Sequence, residues 1–151
     1  MTRIFIVDDD QAFCETLEAG LTRRGLEVAW FTSAEAAFER LLAEDADVVL
    51  TDLNMPGTNG IALCERIASN RPDVPVVVMT AFGNFESAVA AIRAGAYDFI
   101  SKPVQLDVLA IAIDRAAQTR ALRQEVKRLR ADTARPSVFG IIGQSAAPGL
   151  A

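Results

Sequence analysis

Short apolar runs alternate with longer amphipathic stretches along most of this chain. The apolar runs are typical of β-strands covered on both faces. They cover residues 3–7, 27–31, 47–51, 74–80 and 97–100. Apolar residues recur at helical spacing in the intervening and following stretches, which are 11–25, 32–43, 59–72, 84–95 and about 105–131. Strict alternation of the two patterns predicts an α/β fold, a doubly wound sheet of five parallel strands.

Capping and turn residues mark where several of these helices begin and end. Thr32, with Glu35 three positions later, matches a capping box and predicts the start of the second helix. Gly25 and Gly95 follow the first and fourth helical patterns, and glycine commonly terminates a helix. These signals support the division into elements independently of the periodicity.

Polar residues of chemical interest follow four of the five predicted strands. The acids 8–10 follow the first strand, Asp52 follows the third, Thr80 ends the fourth and Lys102 follows the fifth. Taken singly, an acid after a strand is usually a turn or cap residue, and a lysine usually faces solvent. Because the carboxyl ends of parallel strands share one edge, where open α/β sheets bind ligands, the four groups together predict a functional site.

This set of side chains suits phosphoryl transfer. Carboxylates held close together repel one another and require a cation, and oxygen ligands favour Mg²⁺ over zinc. With its charge balanced by the metal and Lys102, one carboxylate can attack phosphorus and form an aspartyl phosphate. Mg²⁺, Lys102 and the Thr80 hydroxyl can neutralise the oxygens of the transferred group. The chain contains no histidine, which excludes a Ser-His-Asp triad, a histidine-ligated zinc and a histidine general base.

Composition indicates a cytoplasmic protein. The 151 residues suffice for one domain and an appendage. No apolar run approaches the roughly 20 residues of a membrane span, and the N-terminus does not read as a signal peptide. Cys14 and Cys64 lie in helical patterns without metal-ligand spacing, so we expect buried, reduced thiols.

Charge is distributed unevenly along the chain. Residues 1–104 carry 8 Lys/Arg and 16 Asp/Glu, a net charge of −8, which argues against nucleic-acid binding. Residues 105–151 carry 7 Lys/Arg and 4 Asp/Glu, a net charge of +3, at the spacing of a solvated helix face. We therefore expect neither nucleic acid nor membrane as a direct partner of this segment.

Four motifs occur in order along the chain. They are "IVDDD" (6–10), "LTDLNMPGTNG" (50–60), "VMTAF" (78–82) and "YDFISKP" (97–103). Over about residues 2–120 the chain resembles the response-regulator receiver domain of bacterial two-component signalling. The resemblance implies a flavodoxin-like sheet with strand order 2-1-3-4-5. It also implies a phosphoacceptor that catalyses its own phosphotransfer and dephosphorylation, and not a turnover enzyme.

The resemblance assigns roles to individual residues. Asp52 would accept a phosphoryl group from a sensor histidine kinase. Asp9 would bind Mg²⁺ directly, Asp8 through its carboxylate or a water, and Asn54 through its backbone carbonyl, with Asp52 completing the metal site. Three residues would shape the loop after the acceptor: Pro56, Gly57 and Gly60.

The resemblance also implies a switch. Thr80 would be the switch hydroxyl, Lys102 the phosphate-binding lysine, and Phe99 the aromatic switch residue. The Lys102–Pro103 peptide bond would be cis. These assignments place the switch residues on or directly after the last two strands.

Residues 80–103 most resemble NtrC-type regulators, the activators of sigma-54 RNA polymerase. In those proteins a long helix leads from the receiver into an AAA+ ATPase whose opening resembles "IIGQSAA" (141–147). We predict a receiver domain over 1–120 and a helical linker over 121–136. Residues 137–151 would begin an output domain or form a disordered tail. The chain lacks a G-x-x-x-x-G-K-[ST] phosphate loop, so it reads as a piece of a larger regulator.

The linker carries a short heptad seam. Leu122, Val126 and Leu129 are spaced by four and three residues, as in a coiled coil. We expect a homodimer formed by helix 4, strand 5 and helix 5 together with the linker helix. The alternative is an ordinary C-terminal helix that frays into a tail.

Two other functions remain alternatives to a receiver. One is a phosphohydrolase with an aspartate nucleophile and Mg²⁺. Such enzymes usually carry a second aspartate two residues after the nucleophile as general acid, where this chain has Asn54. The other is a module that dimerises without accepting phosphate, against which the complete set of acceptor-site residues argues.

Overall fold

The computed structural model describes residues 2–55, 60–81 and 83–133, with side chains to residue 130. Strands and helices alternate throughout, as predicted. The ten elements, in chain order, are β1 (Arg3–Val7), α1 (Gln11–Arg23), β2 (Glu27–Phe31), α2 (Ala34–Ala43), β3 (Val48–Asp52), α3 (Gly60–Asn70), β4 (Val76–Thr80), α4 (Phe85–Arg93), β5 (Asp98–Ser101) and α5 (Leu106–Thr133).

The five strands form one parallel sheet in the order β2-β1-β3-β4-β5, which confirms the predicted fold. Chain order reverses at β1, where the chain first moves outward to β2 and then returns to β3 on the other side. The carboxyl ends of β1 and β3 therefore flank the switch point at which open α/β sheets form their sites.

Alternate side chains of the strands fill two cores, one on each face of the sheet. On β1, Phe5 and Val7 point into the core covered by α2, α3 and α4, while Ile4 and Ile6 point into the core covered by α1 and α5. Every residue of β3 and β4 is buried, because helices cover both faces of these central strands.

Several local predictions needed correction. β4 begins at Val76 and not at residue 74, and β5 runs one residue later than the predicted 97–100. β3 runs one residue later than expected, so Asp52 is the last residue of the strand, and Asp47 precedes the strand. Thr32 does not cap α2, as the capping-box pattern predicted. The cap is Ser33, whose hydroxyl accepts a hydrogen bond from the backbone N–H of Ala36.

The chain divides between Arg120 and Ala121 into two compact units. In the second unit the side chains of Leu122, Val126 and Leu129 are exposed. Residues 137–151, predicted to begin an output domain or a tail, lie outside the described residues. Among the described residues, none of the helices is both long and apolar enough to cross a membrane.

Both cysteines are free and buried, as expected. Burial raises the pKa of the Cys14 thiol and that of the Cys64 thiol to about 12. Since the thiolate is the reactive form, neither cysteine is a nucleophile near neutral pH.

Candidate functional site

The site is built at the carboxyl-terminal edge of the sheet, where buried strands end in polar residues. Asp8 directly follows β1, Asp52 ends β3 and Thr80 ends β4, and all three are buried, with 1%, 6% and 2% of their surface exposed. Lys102 directly follows β5. The strands fix the positions of these groups, because the apolar side chains of the strands are packed in the two cores.

Three carboxylates converge at this edge. One oxygen each of Asp8, Asp9 and Asp52 lies within 4.8 Å of the others, with Asp9 the exposed member. Oxygen ligands from two buried strand ends, Asp8 and Asp52, and from the exposed Asp9 suit Mg²⁺, which keeps part of its water shell. The three acids fit the predicted metal site, and they would hold the ion together with the backbone carbonyl of Asn54.

Lys102 bridges two of the acids. Its Nζ lies 3.1 Å from Asp8 Oδ2 and 3.3 Å from Asp52 Oδ2. Burial works to lower the pKa of the ammonium, but the hydrogen bond to Asp8 and the charges of Asp8 and Asp52 outweigh it and raise the pKa above its usual value. Lys102 therefore stays positively charged near neutral pH, and its ammonium lies between the two carboxylates.

The pKa of the Asp8 carboxyl lies above its usual value, so its ionised form is disfavoured. Its burial raises the pKa of the carboxyl, and the charge of Asp52 adds to that rise. The backbone N–H of Asp10, 2.9 Å from Asp8 Oδ1, and the Lys102 ammonium act in the opposite direction without cancelling it. A further cation at this edge would stabilise the ionised form of Asp8.

The Asp52 carboxylate is held by both of its oxygens. Oδ1 accepts a hydrogen bond of 3.1 Å from the backbone N–H of Asn54, and Oδ2 accepts the bond from Lys102. The Asn54 side chain is exposed. One oxygen of the Asp52 carboxylate is thus held by its own turn and the other by a lysine from a different loop.

Gly60 allows α3 to begin directly against the backbone of Asp52 and Leu53. A Cβ at this position would lie 2.5 Å from the Asp52 carbonyl oxygen and 2.9 Å from Leu53 Cα. Both neighbours are backbone atoms, so only glycine fits without moving the end of β3. Pro56 and Gly57, the other predicted loop residues, lie outside the described residues.

The predicted switch residues Thr80 and Phe99 lie on the neighbouring strands β4 and β5. Phe99 pairs with Val78 across β4 and β5 and is 36% exposed, so its ring faces outward. The backbone N–H of Lys102 donates to the Thr80 carbonyl at 2.8 Å, which ties the residue after β5 to the end of β4. The Lys102–Pro103 bond is cis, as predicted.

The sequence analysis included Asp10 in the acidic run without giving it a role, and it missed Phe13. Asp10 caps α1, because its Oδ1 accepts a 3.1 Å hydrogen bond from the backbone N–H of Phe13. The Phe13 ring centroid lies 4.8 Å from Lys102 Nζ, within the range of a cation–π contact. An acid just before an amphipathic stretch is a recognisable N-cap signal, but no sequence pattern pairs Phe13 with Lys102.

A parallel sheet of this order, with clustered acids, a buried threonine and a lysine at its carboxyl edge, defines a receiver-type phosphoacceptor fold. The family model described as the response regulator receiver domain matches residues 4–114. The chain belongs to this family.

Curated relatives are transcriptional regulators. The chain is 38% identical over 143 residues to the C4-dicarboxylate transport transcriptional regulatory protein DctD of Rhizobium meliloti (strain 1021), with 94% of this chain and 31% of that protein covered. It is 33% identical over 136 residues to the DNA-binding transcriptional regulator NtrC of Klebsiella pneumoniae, with 90% and 29% covered. The chain thus spans under a third of the length of either relative.

Solved structures show the same fold. NtrX from Brucella abortus, in complex with ADP, superposes with a TM-score of 0.80 at 32% identity, over 96% of this chain and 31% of that chain. The beryllofluoride-activated NtrC4 receiver domain dimer superposes with a TM-score of 0.75 at 29% identity, over 80% of this chain and 99% of that chain.

Proposed function

We propose that this chain is the phosphorylated switch of a two-component response regulator, with Asp52 as the acceptor. The observation that carries the proposal is the buried Asp52 carboxylate, held at the end of β3 by Lys102 and flanked by two further acids. The chain has no histidine, so the donor histidine belongs to a sensor kinase.

Transfer begins when an oxygen of the Asp52 carboxylate attacks the donor's phosphorus. The bond between phosphorus and the donor nitrogen breaks, and its electron pair returns to that nitrogen. The Asn54 N–H and the Lys102 ammonium fix the orientation of the attacking carboxylate. The Lys102 ammonium can then move from the Asp52 oxygen to an oxygen of the phosphoryl group, which carries the negative charge. Mg²⁺ held by Asp8, Asp9 and Asp52 supplies further neutralisation of those oxygens when bound.

The proposed chemistry predicts a single phosphoryl addition that depends on metal. Treatment with acetyl phosphate and Mg²⁺ should raise the intact mass by one phosphoryl group, and EDTA should prevent it because Asp8, Asp9 and Asp52 would then repel the incoming group. Intact-mass spectrometry and free-phosphate release measure the two outcomes. Steady release of phosphate over many equivalents would favour the phosphohydrolase alternative. No addition under any condition would favour the module that dimerises without accepting phosphate.

The switch proposal follows from what a phosphoryl group adds at Asp52. Its charge and strong acceptor oxygens attract the hydroxyl of Thr80, the buried last residue of β4. Movement of Thr80 makes room beneath the loop after β4, and the outward-facing Phe99 rotates inward to fill it. The surface of α4, β5 and α5 changes as a result, because a local charge selects between two packings.

The changed surface is proposed to pair two copies of the chain. Exposed apolar side chains occupy α4, β5 and α5, and they are Phe85, Val89, Ile92, Phe99, Val108 and Ile111. The dimer of the activated NtrC4 receiver domain supports pairing in this chain. We place the receiver domain at residues 1–120 and a helical linker at 121–136, with Leu122, Val126 and Leu129 as its seam.

The remainder of the proposed function rests on the relatives. Because the relatives are transcriptional regulators about three times the length of this chain, we place a transcription-activating output domain beyond it, of the AAA+ type that acts with sigma-54 polymerase. We also propose that the protein is cytoplasmic, because its relatives regulate transcription.

The linker seam predicts an association that depends on apolar contact. Each exposed seam residue forgoes roughly 1.5–3 kcal/mol relative to full burial, which favours dimers at roughly tens of micromolar. Sedimentation of beryllofluoride-treated wild type should show a dimer, and Leu122→Glu/Leu129→Glu should weaken it. If both chains sediment as the same monomer, the seam is not an association element and the frayed-helix alternative holds.

A further inference from the structure

We propose that Phe13 is a positioning residue that holds the Lys102 ammonium at the acceptor carboxylate, an inference that rests on the proposed role of Asp52. The ring centroid of Phe13 lies 4.8 Å from Lys102 Nζ, on a cation that also contacts Asp8 and Asp52. The first turn of α1 therefore contributes to phosphotransfer through an aromatic face.

Lys102 needs such a restraint because its flexible side chain does not by itself hold the ammonium in one position. A lysine ammonium is a strongly hydrated point charge on a flexible four-carbon stem, and about a third of this side chain, 34%, is exposed. The two carboxylates attract the ammonium from the strand side. The electron-rich face of Phe13 attracts it as well, which disfavours rotamers that turn the ammonium into solvent.

Phe13 can act as a restraint because its own position is fixed. Its backbone N–H is capped by Asp10, and its half-buried ring packs against the core between the sheet and α1 and α5. Two neighbours tie the same turn to the site: the Asp10 N–H donates to Asp8 Oδ1, and the Cys14 thiol donates to the Asp8 carbonyl at 3.4 Å. The first turn of α1 and the metal-site acid thus form one rigid unit.

The restraint matters most while the phosphoryl group is being transferred. During transfer the Lys102 ammonium must leave the Asp52 oxygen it pairs with and follow the charge to a phosphoryl oxygen. A cation–π contact has little directional preference across the ring face, so the ammonium can shift while it stays near Phe13. An aliphatic side chain of similar bulk would fill the space without attracting the cation.

The test measures the rate of phosphorylation by acetyl phosphate in variants that keep the apolar bulk. Phe13→Leu should lower the rate constant by roughly threefold to tenfold, the range expected from the strength of a cation–π contact at a partly exposed site. Phe13→Tyr keeps the ring and should stay within about twofold of wild type. In a Lys102→Met background, Phe13→Leu should cause no further loss, because its effect passes through the ammonium.

A structural role would give a different pattern. If Phe13→Leu slowed phosphorylation equally in the wild-type and Lys102→Met backgrounds, or not at all, the positioning role would be overturned. If the wild-type chain accepted no phosphoryl group, the proposed function and this inference would fail together. If the wild-type chain were phosphorylated but Phe13→Leu had no Lys102-dependent effect, only the inference would fail.

A second measurement requires no phosphodonor. The ring of Phe13 should shift the Lys102 ε-methylene protons upfield in NMR spectra, and the shift should persist in Phe13→Tyr and vanish in Phe13→Leu. An unshifted Lys102 signal in the wild-type protein would contradict the contact itself.

Discussion

The Asp52→Asn variant should lose phosphoryl addition entirely while keeping its fold. Asparagine has nearly the same shape, and its amide oxygen can still accept the hydrogen bond from the Asn54 N–H that holds Asp52 Oδ1. It has no anionic oxygen to attack phosphorus, and the neutral amide no longer forms an ion pair with Lys102. The variant should therefore lose phosphorylation, while the buried strand β3 remains in place.

Intact-mass spectrometry after acetyl phosphate treatment checks this prediction, with Asp114→Asn as the matched control. Asp114 is an exposed carboxylate on α5 that pairs with Gln118, and its substitution should leave the single addition unchanged. A phosphoryl group retained by Asp52→Asn would show that another side chain is the acceptor. Circular dichroism of both variants separates a lost acceptor from a lost fold.

The placement of the acceptor site was predictable because strand pattern and topology act together. Five apolar runs separated by helical patterns predict a parallel sheet, and a parallel sheet brings the residues after its strands to one edge. Asp8, Asp52, Thr80 and Lys102 were predicted to meet on this basis, and the structure places all four there. The motif resemblance then supplied the order of the strands.

Local competition and long-range contacts were not predictable in the same way. Thr32 and Ser33 are adjacent hydroxyl residues before one helix, and the cap is decided by which hydroxyl reaches a free N–H, here that of Ala36. The contact of Phe13 with Lys102 joins the first helix to the last loop, and periodicity carries no signal for it. Such pairs depend on the finished packing of both elements.

A buried ion cluster at the amino ends of the strands was equally invisible in the sequence. Arg120, on α5, has only 8% of its side chain exposed. Its Nη1 donates to Asp47 Oδ1 at 2.9 Å, and its Nη2 donates to Asp73 Oδ2 at 3.2 Å. Asp47 also accepts from the Arg3 backbone N–H, and Asp73 also pairs with Arg71. The guanidinium thus joins α5 to the residues that precede β3 and β4.

Replacement of Arg120 by Met should lower the free energy of unfolding by about 2–4 kcal/mol near pH 7. Methionine retains much of the apolar stem, so the loss reports mainly the charge. Breaking a buried ion pair from one side is costly because the partner carboxylates stay in place without their cation. Asp73 is 12% exposed and would keep Arg71 as its cation, while Asp47 would keep the Arg3 N–H.

The loss should also depend on pH in a defined direction. Burial works to raise the pKa of Asp73, but its hydrogen bonds to Arg71 and Arg120 outweigh burial and hold the pKa below its usual value of 3.8. A carboxyl with a lowered folded-state pKa stabilises the protein above its unfolded-state pKa, and this contribution disappears as the pH falls through the folded-state value. Without Arg120 the pKa of Asp73 rises, so the variant and wild type should converge in stability as the pH falls below about 4.

Urea denaturation of wild type, Arg120→Met and Arg128→Met at about pH 7 and about pH 2.5, below the usual pKa of Asp73, makes the comparison. Arg128 is the matched control because it pairs with Glu125 on the same helix, with 66% and 51% of the two side chains exposed. Such a surface pair should contribute no more than about 0.5 kcal/mol, so Arg128→Met should unfold almost as wild type does. Two outcomes would contradict the prediction. The two variants could lose the same free energy of unfolding, or the difference between Arg120→Met and wild type could stay the same in acid. Either would show that the ion pairs of Arg120 do not stabilise the fold.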